Sequence, residues 1–221
     1  MYRSNAPAIW LIGLLLFLAS CDPSTEADVQ PATDQRPVDQ IDDADDTQSP
    51  PDTSAIQYIA LGDSYTTGTG IVSYDGWPER LVGSLRESGY SAKDPVIVAR
   101  AGWTTARLLL ELYNLELQPE YDLVSLQIGV NNQYNNQGIA VFQRDFEQLL
   151  DLATGLTKSG RGVFVLSIPD YGATPFGSGN AAAIGEEIDA YNEYIMRVCT
   201  ARNIRYYDVT EISRRAEENP A

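Results

Sequence analysis

From residue 56 onward, apolar runs of strand length alternate with longer stretches whose apolar positions recur at helical spacing. The pattern predicts strands over 57–61, 95–99, 122–128, 162–168 and 204–209, and helices over 76–88, 105–114, 139–158 and 181–202. Such alternation belongs to an α/β fold, a parallel sheet with helices on both faces. Two of the strands, around Val124 to Ile128 and Val163 to Ile168, are mostly apolar rather than alternating, which fits burial on both faces. No internal repeat interrupts the pattern.

In a parallel sheet of this kind the loops that follow successive strands meet along one edge, where backbone N–H groups collect and negative charge is favoured. Here those loops begin Gly62-Asp63-Ser64, Arg100-Ala101-Gly102-Trp103, Gly129-Val130-Asn131-Asn132 and Pro169-Asp170-Tyr171-Gly172. Ser64, at the abrupt end of the first apolar run, is the candidate nucleophile. If a serine attacks an ester carbonyl, the oxyanion needs donors fixed where its charge appears. The Gly102 N–H, the Asn131 side-chain amide and the N–H of Ser64 suit that task. Each also has a plainer explanation: a turn for Gly-Asp-Ser and for Gly102, a helix cap for Asn131. The loop aromatics Tyr65, Trp103, Tyr134, Tyr171 and Phe176 serve equally as pocket walls or as core.

Upstream the pattern changes. Arg3 precedes an apolar run from Ile9 to Leu18, too short to span a bilayer, and then Ala19-Ser20-Cys21. Leu18-Ala19-Ser20-Cys21 resembles the lipobox of bacterial lipoproteins, which implies removal of residues 1–20, lipidation of Cys21 and tethering to a cell-envelope membrane. Residues 21–55 are rich in Asp, Pro, Thr and Gln and too poor in large apolar residues to offset the entropy of ordering. From 22 to 55, ten acids and one base contribute −9 of the chain's formal −16. Those 34 residues read as a solvated spacer reaching roughly 30 Å, and their charge argues against a nucleic-acid partner. Residues 56–221 are one domain's worth of chain. Cys199 is the remaining cysteine, in a helical apolar setting that reads as core. With no histidine and no cysteine cluster, nothing points to a metal or cofactor.

Taken together, Gly62-Asp63-Ser64, Gly102 and Gly129-Val130-Asn131 resemble the first three blocks of the SGNH (GDSL-type) hydrolases, and Ile168-Pro169-Asp170-Tyr171-Gly172 adds to the likeness. The resemblance implies a flavodoxin-like three-layer α/β/α sandwich. It also implies a serine esterase or acylhydrolase acting on carboxylic esters, including acetyl esters of carbohydrates. Asn132 stands where the third block has aspartate. The larger departure is the fourth block, Asp-x-x-His, since the chain has no histidine to take the proton of Ser64. That reads as a chain truncated before the block, nearly inactive as written, with apolar sheet surface left exposed. A fold kept as a non-catalytic binding module is the alternative. No substitute base stands out. Asp63, taken as a solvated carboxylate near its ordinary pKa, is a weak base on the opposite face from Ser64, and Lys93 and Lys158 lie in exposed-looking segments. Oligomeric state is not legible.

Overall fold

The computed structural model describes residues 54–72 and 75–215. The proposed signal, Cys21 and nearly all of the acidic spacer lie outside the described residues. Five strands, β1 (Tyr58–Gly62), β2 (Val96–Ala99), β3 (Leu123–Gln127), β4 (Val163–Leu166) and β5 (Arg205–Tyr207), form one sheet in the order β2-β1-β3-β4-β5. Every pairing is parallel, with Leu61 beside both Val98 and Leu126. This is the flavodoxin-like order expected, and β1 is buried along its whole length.

Strand alternation divides the sheet into two unlike faces. Ile59, Leu61, Val124, Leu126, Val163 and Val165 face the large core built with α3 (Thr105–Asn114), α5 (Ile139–Gly155) and α6 (Ala181–Ala201). On the opposite face Tyr58 and Ala60 pack with Val82 of α2 (Trp77–Glu87), with Ile97, Leu123 and Phe164 around them. No other long helix among the described residues packs there. A groove of about 1170 Å³ runs past Leu123, Phe164, Arg205 and Tyr207, and Tyr207 is 49% exposed. Among the described residues no helix is long and apolar enough to cross a membrane.

Two short helices lie where the apolar pattern shows only loops, α1 (Ser64–Thr67) and α4 (Val130–Tyr134), while α7 (Thr210–Arg215) falls on a stretch, 212–217, that the sequence already reads as briefly helical. Elements of four or five residues are too brief to produce a readable period. Gly62 explains the sharp exit from β1, because a Cβ there would collide with the Thr66 side chain and the Gln127 carbonyl. Gly129 turns the exit from β3 at φ +133°, and its missing side chain makes room for Phe142 and Ile168.

Candidate active site

β1 and β3 are neighbours, and the chain turns opposite ways from them, so their carboxyl ends flank the crevice where open α/β sheets place ligands. Ser64 leaves β1 as the first residue of α1, and Asn131 leaves β3 as the second residue of α4. Both line one cleft of about 330 Å³, together with Tyr65, Val130, Tyr134, Tyr171 and Phe176. Trp103 does not line it: the indole packs against the core, with the Arg107 guanidinium 6.0 Å from its ring centre.

The loops are held by polar ties. The Asn131 Nδ2 donates to the Trp103 carbonyl at 2.9 Å. An amide nitrogen has two N–H groups, so this bond fixes the side chain and leaves one donor for a ligand. Asn131 is therefore not a helix cap, a position Gly129 occupies. Gly102 sits one peptide from the carbonyl that Asn131 holds, exposed and at φ +82°. A residue with a side chain is strained there although the space is open, so the turn itself requires glycine. Ser64 and Asn131 thus share a cleft, and Gly102 adjoins it without lining it.

Asn132, in the family's aspartate position, is fully buried. Its Oδ1 accepts from the Thr105 N–H at 3.0 Å, and its Nδ2 donates to the Thr105 Oγ1 at 2.8 Å and the Gln137 Oε1 at 3.2 Å. Thr105 Oγ1 in turn donates to the buried Asp145. An aspartate at 132 could not donate and would set a second carboxylate beside Thr105, so asparagine fits this lattice. A second tie runs from the Tyr171 hydroxyl to Gln133 Oε1 at 2.8 Å, and from Gln133 Nε2 to Glu187 of α6 at 2.7 Å. Thr105, Gln133, Asp145 and Glu187 carry no motif, and only tertiary contact reveals them.

Asp63 differs from the sequence expectation. It is 1% exposed, caps α1 by accepting from the Tyr65 N–H at 3.0 Å, and also accepts from the Gly129 N–H. Burial pushes its carboxyl up to about 7, against the pull of those two bonds. The solvated carboxylate near pKa 4 is thus a buried one, engaged with backbone N–H groups. Burial, with Asp63 and Asp170 nearby, pushes the Tyr65 phenol up to about 12, so it stays neutral at physiological pH. Lys158 pairs with Asp122 just before β3, and Lys93 reaches Gln57 just before β1, at the far end of the sheet from Ser64. Cys199 is fully buried, and burial raises its thiol to about 11, as suits a core residue. Among the described residues no cluster of His, Cys, Asp and Glu could hold a metal.

The family model of the GDSL-like lipase/acylhydrolases matches residues 60–221. Among solved structures, AlinE4, an SGNH-hydrolase family esterase, is 15% identical with a TM-score of 0.57, covering 75% of this chain and 81% of that one. A member of the lipolytic protein G-D-S-L family from Veillonella parvula is 17% identical at TM-score 0.58, with 76% and 85% covered. An extracellular lipase from Streptomyces rimosus is 23% identical at 0.56, with 71% and 81% covered. At these identities the likeness is one of fold. Comparison with curated proteins finds no match.

Proposed function

Since the chain belongs to the GDSL-like lipase/acylhydrolase family, we propose that it is a serine esterase that cleaves carboxylic esters, among them acetyl esters of carbohydrates, with Ser64 as nucleophile. The observation that carries this reading is the meeting of Ser64 and Asn131 in one cleft at the β1/β3 switch point. In the proposed reaction a base takes the Ser64 hydroxyl proton as Oγ bonds to the acyl carbon. The carbonyl oxygen becomes an oxyanion facing the N–H groups of Ser64 and Gly102 and the remaining amide N–H of Asn131. Collapse breaks the bond to the alcohol oxygen, which takes up the proton. Water then repeats the sequence on the acyl-serine and releases the acid.

None of the 221 residues is a histidine, and a serine without a base is a poor nucleophile. The test therefore supplies the base. Hydrolysis of p-nitrophenyl acetate is followed at rising imidazole concentration, with Ser64→Ala at the same concentrations as the control. A general base contributes on the order of 10²-fold or more, so imidazole should accelerate the unaltered chain by at least about tenfold over the variant. Asn131→Ala should then lose on the order of 10²-fold in kcat. Equal rates with and without Ser64 would overturn the assignment. The missing histidine favours a second reading, a binding module that keeps the fold, which predicts cleft binding with no Ser64-dependent turnover.

The lipobox-like Leu18-Ala19-Ser20-Cys21 supports tethering of the mature protein to a cell-envelope membrane through Cys21. Radiolabelled palmitate should enter the unaltered protein and not Cys21→Ser. Equal labelling of both would remove the anchor from the proposal.

A further inference from the structure

Three aromatic rings stand at the Ser64 cleft. Tyr134 comes from α4, and Tyr171 and Phe176 from the loop after β4. Their centroids are separated by 6.1 Å (Tyr134–Tyr171), 6.0 Å (Tyr134–Phe176) and 6.1 Å (Tyr171–Phe176), with interplanar angles of 73°, 37° and 45°. Two of the rings are open to solvent, Phe176 74% exposed and Tyr134 52%, while Tyr171 is partly buried and packs against the core behind them. Large apolar surface left open beside a candidate nucleophile is surface that a ligand would cover.

The wall is built rather than loose. The Tyr171 hydroxyl is pinned through Gln133 to Glu187. Asp170 accepts from the Gly172 N–H at 2.8 Å and from the Arg214 guanidinium at 3.0 Å, and its own N–H donates to the Ser213 hydroxyl at 2.8 Å. Thr174 Oγ1 donates back to the Tyr171 carbonyl at 2.7 Å. At Gly177 a Cβ would collide with the Tyr171 carbonyl, so the loop folds tightly on itself and brings Phe176 beside Tyr171. Rings held in advance cost little ordering when a ligand arrives.

The chemistry of the wall narrows what that ligand is. No carboxylate, ammonium or guanidinium lines the cleft, and with the spacer's −9 and the +1 of Arg3 set aside residues 56–221 still carry a formal −8, which disfavours anions. An alkyl chain lying on an open shelf leaves much of its surface in water, whereas a flat ring can set a whole face against Phe176 or Tyr134. A cleft of about 330 Å³ is at the small end for ligand sites and has room for one ring and a short acyl group. Resting on the esterase reading, we propose that Tyr134, Tyr171 and Phe176 recognise, through its apolar face, one uncharged six-membered ring joined to the scissile ester, by the π-face of an aryl ring or the C–H face of a pyranose.

The test measures binding by titration calorimetry, with amides standing in for esters so that nothing is hydrolysed. The probes are acetanilide for the aryl ring, methyl N-acetyl-β-glucosaminide for the pyranose and N-hexylacetamide for the alkyl chain. One ring probe should bind at least about fivefold tighter than N-hexylacetamide. Phe176→Ala and Tyr134→Ala should each weaken it by roughly threefold to tenfold, the range of a single ring–ring contact. Both positions are exposed, and unchanged thermal midpoints will show that the variants fold. The winning probe distinguishes aryl from sugar. A hexyl probe that binds as well, ring binding indifferent to both substitutions, or no ring binding up to the solubility limit would overturn the proposal. The imidazole assay separates the two readings: ring binding without Ser64-dependent turnover leaves the wall and removes the esterase, and turnover without ring binding does the reverse.

Discussion

The two faces of the sheet are covered unequally, and the difference bears on the site. On one face three long helices enclose Phe142, Phe146, Leu149, Leu150 and Ile188, all fully buried. On the other, α2 covers Tyr58 and Ala60, and the sheet beyond Phe164 opens into the groove beside Tyr207. The braces of the site come from the covered side: Thr105 of α3, Asp145 of α5, and Glu187 and Asn192 of α6, the last bonded to both the N–H and the carbonyl of Ile168. From the open side the comparable tie is the Trp77 indole to Gln127 at 3.1 Å. Catalytic geometry should therefore depend on the covered face and tolerate change on the open one.

The hardest test of that asymmetry is Phe146→Ala. Phe146 stacks on Phe142 at 5.3 Å and is fully buried, so truncation leaves a cavity and should cost about 3–5 kcal/mol in a chemical denaturation curve. A cost below about 1 kcal/mol would mean that the covered face is no better packed than the open one.

Asp63 gives a pH signature. Burial pushes its folded carboxyl up to about 7, from an ordinary aspartate value of about 4 in the unfolded chain. Between about pH 4 and pH 7 the unfolded chain has lost this proton and the folded chain still holds it. Stability from this group is thus complete below about pH 4 and lost as pH rises to about 7, an effect of a few kcal/mol by linkage. Urea midpoints taken across that window should fall with pH, and Asp63→Asn, which keeps an acceptor for Tyr65, should flatten the fall. An unaltered slope in the variant would mean that another group is responsible.

Asn132→Asp restores the family's usual residue and should nevertheless destabilise. It removes both donations made by Nδ2 and buries a carboxylate near Asp145, at a cost of about 1–3 kcal/mol. The penalty should shrink at acid pH, where the new carboxyl is protonated. A variant as stable as the unaltered chain at pH 8 would show that the Thr105 lattice is not what selects asparagine.

These cases separate what residue pattern reveals from what it hides. The five strands and the four long helices were legible because β1, β3 and α5 carry apolar runs of a single period, whereas the sheet order was expected only through the family resemblance. Ser64, Gly102 and Asn131 were legible as loop residues after strands. The burial of Asp63 was not, because it depends on Gly129, 66 residues away, donating to it. Nor was the bracing by Asp145 and Glu187, two acids on helices that look solvated in a linear reading. Tyr134, Tyr171 and Phe176 were visible as loop aromatics, but whether they met in a cleft or in the core was settled only by the chain's path. Trp103, read in the same way, went to the core.

The smallest effect should come from the open face. Tyr207 lies on the edge strand β5, its ring against Phe164 at 5.9 Å, half exposed above the groove. Tyr207→Lys exchanges an exposed aromatic for a charge of the kind natural edge strands carry. Its unfolding free energy should change by no more than about 0.5–1 kcal/mol. Binding of the ring probes at the Ser64 cleft should stay within about twofold, since no brace of the site passes through Tyr207. Self-association in sedimentation runs at high concentration should decrease, because the exposed apolar patch is reduced. If Tyr207→Lys instead weakened ring binding as much as Phe176→Ala does, the open face would be coupled to the cleft, and the two faces would differ in cover but not in what they hold in place.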